Sequence, residues 1–95
     1  MRYSHVYILG SLSHTLNVGV TGDLARRMHE HRCGSAEGFA RRYNISKLLW
    51  CEPHERILEA IAREKQIKRW RRAKKIALIE RDNPGFRDLW PQLKR

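Results

Sequence analysis

Two short apolar segments near the start of the chain, separated by turn-forming residues, constrain the fold more than anything that follows. Val6-Tyr7-Ile8-Leu9 is a run of β-branched, aromatic and aliphatic residues, and Gly10-Ser11-Leu12-Ser13-His14-Thr15 after it favours a loop. In Leu16-Asn17-Val18-Gly19-Val20-Thr21 the apolar residues alternate with small or polar ones, the period of a strand buried on one face. Two strands joined by so short a loop pair most economically as an antiparallel hairpin.

The remaining elements follow from caps and periodicity. Thr21-Gly22-Asp23 suits a helix start, because Thr or Asp can accept from the free first-turn amides and Asp complements the positive end of the dipole. This helix is expected to reach about Arg32 and stop near Cys33-Gly34. A weaker helical segment around Phe39 to Tyr43 precedes Lys47-Leu48-Leu49-Trp50-Cys51, which fits a third, buried strand closed by Glu52-Pro53. From His54 to Trp70 the pattern is helical, with Ile57, Ala60, Ile61 and Ile67 on one stripe. A further helix is expected from Ala73 to Arg81, ending before Asn83-Pro84-Gly85. The tail, residues 83–95, carries Phe86, Leu89 and Trp90 and should dock on the body. The order β-β-α-β-α-α implies an α+β fold, a small three-stranded antiparallel sheet flanked by helices. At 95 residues the chain has material for one core, so residues 1–95 are expected to form a single domain.

Charge narrows the partners. Lys and Arg number 20 against 10 Asp and Glu, a formal net charge of +10, and such an excess on a small body attracts polyanions. Nucleic acid is the leading partner class. Membrane-surface helices pair a basic face with a strongly apolar one, which is not the pattern here. The N-terminal apolar run is shorter than a signal-peptide core, and Cys33 and Cys51 read as two reduced thiols, so a cytoplasmic location is expected. Cations are densest between Arg63 and Lys75, with Trp70 embedded among them. Lys65, Lys68, Arg69 and Arg72 in this run, together with Arg26, are candidate phosphate contacts, because no matching block of acids neutralises them locally. Such binding should weaken steeply as salt is raised.

Four residues stand out as candidates for chemistry. Glu64 continues the stripe of Ile57, Ala60, Ile61 and Ile67, which places a carboxylate where the helix otherwise faces the core. A carboxylate so placed is either paired with a neighbouring cation, turned out at the domain edge, or bound to a metal. On the first helix Arg27 and His31 are four residues apart and share a face beside the apolar Leu24 and Met28, whereas Arg26 and His29 point elsewhere. A guanidinium can grip two phosphate oxygens, and His31 can donate to a third or relay a proton. Tyr7 points to the opposite side of its strand from Val6 and Ile8. It is either a core aromatic or, if Arg27 lies beside it, a base for a water nucleophile, because a neighbouring cation favours the phenolate. The scattered histidines make no zinc site, and a hard cation held by one carboxylate and waters suits the sequence better.

These segments resemble a known family. Val6-Tyr7-Ile8, Val18-Gly19-Val20-Thr21, Asp23 to His31 and Arg63-Glu64-Lys65-Gln66-Ile67-Lys68, in that order and spacing, look like the GIY-YIG nuclease domain. More narrowly they are similar to the short stand-alone bacterial predicted endonucleases of that superfamily, of the URI-domain type. The resemblance covers nearly the whole chain and runs through the Leu-Ile-Glu-x-x-Asn-Pro ending at Pro84. It implies a three-stranded antiparallel sheet flanked by helices, and phosphodiester hydrolysis with one divalent metal, Mg²⁺ or alternatively Mn²⁺. Carried over by position, Tyr7 matches the tyrosine of the first half-motif, Arg27 the phosphate-gripping arginine, His31 the histidine one turn on, and Glu64 the metal ligand. Two positions depart: His5 stands where the first half-motif has glycine, and Asn17 where the second has tyrosine. Asn17 cannot ionise but can hydrogen-bond water or phosphate. The resemblance therefore implies a DNA endonuclease, acting on structured or damaged DNA. The alternatives are a nucleic-acid-binding module without turnover and a purely structural role within a larger complex.

Overall fold

The computed structural model describes residues 3–10, 15–32 and 47–90, with residues 31 and 32 by backbone alone. Its elements are β1 (Ser4–Gly10), β2 (Leu16–Thr21), α1 (Leu24–Arg32), β3 (Lys47–His54), α2 (Ile57–Lys68) and α3 (Arg72–Asp82). The strands form one antiparallel sheet in the order β2-β1-β3, so the hairpin and the third strand are as expected. The segment from Phe39 to Tyr43, Cys33 and residues 91–95 lie outside the described residues.

Strand alternation divides the core into two. Val6, Ile8, Val18 and Trp50 pack with Ala60 and Ile67 of α2 and Leu78 and Ile79 of α3. Tyr7, Leu9 and Leu48 face the other way and pack with Met28 of α1. The sheet is thus covered by α1 on one face and by α2 and α3 on the other. Between Ile8 and Leu9 the pairing with β3 shifts by one residue, which lets Leu49 and Trp50 both enter the α2–α3 side. Trp50 is fully enclosed and donates its indole N–H to Asp82 Oδ2 at 2.9 Å, so its bulk is buried without stranding its polar atom. Burial of each large aliphatic side chain in these clusters contributes about 1.5–3 kcal/mol.

Several boundaries differ from expectation. β3 does not close at Glu52-Pro53 but continues to His54. It is an edge strand, where the missing N–H of Pro53 costs little. Consequently α2 starts only at Ile57, and Ile57, expected on the buried stripe, is 45% exposed. The buried stripe is carried by Ala60 and Ile67. Asp23 caps α1, accepting from the Arg26 N–H at 3.1 Å, while Thr21 Oγ1 accepts from the Asp23 N–H at 3.1 Å.

The tail closes part of the β3 edge. Leu48 N–H donates to Asp88 Oδ1 at 3.0 Å, and Leu89 N–H donates to the Leu48 carbonyl at 2.8 Å, so both outward backbone groups of Leu48 are paired. Asn83, only 5% exposed, fixes the turn that makes this possible. Its Nδ2 donates to the Leu49 and Arg87 carbonyls at 3.0 and 2.8 Å, and its Oδ1 accepts from the Arg87 N–H at 3.1 Å. Asn83→Ala is expected to lower the unfolding free energy by about 2–3 kcal/mol in urea titrations, because buried backbone groups lose their partners. A loss under about 0.5 kcal/mol would show that the turn is held by other contacts.

Candidate active site

The site is built where β1, β2 and α1 meet. Tyr7 lies directly opposite Gly19 in the hairpin, and both face α1. A Cβ added to Gly19 would stand 2.5 Å from Tyr7 Cζ and 2.9 Å from Cε1, far inside contact distance. The ring therefore lies across Gly19 and carries its hydroxyl over the edge strand, a placement that requires a residue without a side chain at position 19. There Arg27 Nε donates to Tyr7 Oη at 3.1 Å. The bond to the Tyr7 hydroxyl is the main reason the Arg27 guanidinium holds its proton more tightly than usual, with Glu30 adding a smaller share.

Beside this pair opens a pocket lined by Thr21, Gly22, Asp23, Arg26, Arg27 and Glu30. Arg26 does not point away from Arg27 as its position suggested. Both line the pocket, and both reach Glu30, at 3.5 and 3.6 Å. Glu30 was not apparent as a site residue from sequence, although its place one turn from both arginines was a readable signal. Asn17 lies on the same face, opposite Leu9 and two residues from Gly19, and its side chain makes no hydrogen bond among the described residues. The backbone of His31 continues α1 one turn beyond Arg27, and its side chain lies outside the described residues.

Glu64 is placed differently. It shares the stripe of Ala60 and Ile67, its side chain is 13% exposed, and it pairs with Lys68 Nζ at 2.9 Å. That stripe faces the side of the sheet away from Tyr7. The structure thus joins Tyr7 to Arg27 and keeps Glu64 across the sheet. Among the described residues no three His, Cys, Asp or Glu side chains cluster as a metal site. Nearby, Glu52 of β3 accepts from Arg63 Nε at 3.1 Å and bonds His54 Nε2 at 2.8 Å, which ties α2 to the sheet just before Glu64. Sequence had not marked this link.

The candidate phosphate contacts Lys65, Lys68, Arg69 and Arg72 are all exposed at the junction of α2 and α3. Lys65, Arg69 and Arg72 have no carboxylate partner among the described residues. Trp70 sits between these elements, with Lys74 Nζ 4.4 Å and Arg63 Cζ 5.4 Å from its ring centre. No described helix is long and apolar enough to cross a membrane.

The family model for the GIY-YIG catalytic domain matches residues 3–77, taking in the hairpin, α1 and α2 with the Tyr7–Arg27 pair and Glu64. The chain belongs to the GIY-YIG family. It is similar to a UPF0213 protein of Haloquadratum walsbyi, 33% identical over 78 residues, covering 82% of this chain and 88% of that protein. A UPF0213 protein of Syntrophus aciditrophicus is 33% identical over 86 residues, 86% of this chain and 95% of that one. The solution NMR structure of a UPF0213 protein from Bacillus halodurans superposes with a TM-score of 0.59 at 26% identity, covering 90% of each chain. Membership gives a nuclease-family domain, and with it nucleic acid as the class of substrate.

The GIY-YIG glycine at position 19 has a physical reason in this chain, and Gly19→Ala tests it. The added methyl should drive the Tyr7 ring off β2, break the bond from Arg27, and cost about 1–3 kcal/mol by chemical denaturation. Unchanged stability and an unchanged Tyr7 ring environment by NMR would contradict the close packing.

Proposed function

We propose that this GIY-YIG protein is a metal-dependent endonuclease that hydrolyses DNA phosphodiester bonds, with Tyr7 and Arg27 at its reactive centre. The observation that carries the reading is the hydrogen bond from Arg27 Nε to Tyr7 Oη beside an open pocket containing a second arginine. A phosphate entering that pocket would compete with Glu30 for Arg26 and Arg27, exchanging one anion for another. Arg27 would then stabilise the charge that builds on the phosphoryl oxygens, while Tyr7 receives the proton of the attacking water. His31, one helical turn along, is the further candidate donor, and Asn17 holds solvent on the same face without ionising.

Glu64 is the residue that would hold the divalent ion. A single, largely buried carboxylate suits Mg²⁺ or Mn²⁺, which keep several waters and rely on one or two protein carboxylates plus substrate oxygens. The ion would have to take the place of Lys68 beside Glu64. When bound it supplies positive charge to the oxygens of the reacting phosphate. α2 packs across β1 and β2, and a substrate laid over the β2 edge would reach groups on both faces of the sheet. Arg26, Lys65, Lys68, Arg69 and Arg72 would hold the backbone of the nucleic acid, and phosphate contacts of this kind carry no base readout. Structured or damaged DNA, recognised by shape, is the substrate class this implies.

A second reading, a binding module without turnover, is favoured by Asn17, which removes one ionisable group from the site. The two are separated by nicking assays on labelled DNA with Mg²⁺ or Mn²⁺, with binding measured on the same preparations. The nuclease reading expects cleavage that stops with EDTA and falls by about 100-fold or more in Arg27→Ala and Glu64→Gln while DNA is still bound. Wild type that binds DNA but leaves it uncut with both metals, and gains cleavage on Asn17→Tyr, would establish the binding module instead.

A further inference from the structure

One half-buried side chain on the Tyr7 face has no role in the proposed reaction so far. His5 stands two residues before Tyr7 on β1, on the same side of the sheet, and pairs across the hairpin with Thr21 of the pocket rim. Its Nδ1 is buried and has no hydrogen-bond partner among the described residues. Tyr7 presents the complementary deficit. Its Oη already accepts from Arg27 Nε, so its own hydroxyl hydrogen must be donated elsewhere, and it makes no such bond to another described residue. An unsatisfied buried nitrogen and a buried tyrosine with an unspent donor are each costly, and side chains two apart on a strand stand side by side.

We propose that His5 is the proton acceptor for Tyr7 through one bridging solvent molecule, and so supplies the ionisable group that Asn17 does not. The inference rests on the nuclease reading for its purpose, but not for its geometry. In the step it serves, the attacking water gives a proton to Tyr7 Oη as the Tyr7 hydroxyl gives its own to the His5 imidazole. The water oxygen bonds to phosphorus, the ester P–O bond breaks, and the leaving oxygen takes a proton from solvent. The imidazolium then returns its proton to solvent, leaving water added across the ester and both side chains as they began. Because the transfer is concerted, no free phenolate need accumulate. His5 must be neutral to act, and burial, with the nearby His54 second, holds its pKa below the ordinary 6.5. Tyr7, held by Arg27 of α1, and the uncharged Thr21 of β2 share its face, Pro53 lies opposite it on β3, and His54, bonded to Glu52, acts on it electrostatically from the neighbouring β3 position.

The test has a readout that needs no cleavage. The His5 imidazole is titrated by NMR in wild type and in Tyr7→Phe. The proposal expects the midpoint to move by about half a pH unit or more when the hydroxyl is removed. An unmoved midpoint would overturn it. In cleavage assays with Mn²⁺, His5→Gln and His5→Phe, both checked for folding by circular dichroism, should lose about 100-fold in kcat with DNA affinity kept. They should also lose the wild-type decline of activity as pH falls through the His5 midpoint. Wild-type rates and pH profile in both folded variants would equally overturn the proposal. Wild type inactive with either metal would sink the nuclease reading, and the proton link would then stand or fall on the NMR titration.

Discussion

The close approach of the Tyr7 ring to Gly19 is the contact on which the rest of the site depends. In an antiparallel pair the residue opposite a tyrosine normally fills the space over its own strand, and the ring stands upright between neighbours. With no side chain at position 19 the Tyr7 ring lies over β2 and its hydroxyl meets Arg27. Arg27 comes from a helix whose start is fixed by Thr21 and Asp23, immediately after the same strand. A glycine, a capping pair and a hairpin register therefore place one guanidinium against one phenol with little freedom left. The pocket beside them inherits its charge from the same helix turn.

The sheet imposes a second constraint, because it separates this pair from Glu64. The carboxylate rides on α2 against the opposite face, half of a two-residue ion pair with Lys68. Among the described residues no hydrogen bond or ion pair joins the two halves, and on the proposed reading a substrate spanning the β2 edge would bridge them. The arrangement also explains how a body this small, 31 × 29 × 25 Å, carries exposed cations on two elements that do not touch the same pocket. Electrostatic attraction would gather a polyanion at both, while the geometry of the edge would decide which phosphate reaches Tyr7 and Arg27.

Much of this was readable in the sequence, for specific reasons. The period-two alternation from Leu16 to Thr21 put Asn17 and Gly19 on one face of β2, and the hairpin register, not legible from the pattern, brings Tyr7 opposite Gly19. Spacing of three and four put Glu64 on the buried stripe of α2, although Ile57 proved to lie outside it because β3 runs on through Pro53. Pairwise contacts between elements that depend on side-chain direction were not legible. The Arg26–Glu30 pair follows helical spacing and could have been read, whereas the Glu52–Arg63–His54 link and the His5 nitrogen without a partner among the described residues arise from tertiary packing that no local pattern encodes.

In the proposed reaction the hydroxyl of Tyr7, held by Arg27, takes the proton of the attacking water. Single-turnover cleavage of DNA by Tyr7→Phe, with binding measured on the same samples, addresses it most directly, since the change removes one oxygen and leaves the packing over Gly19 intact. The expected result is a rate lowered by about 10²–10⁴-fold at unchanged DNA affinity. Cleavage by Tyr7→Phe at the wild-type rate would contradict it.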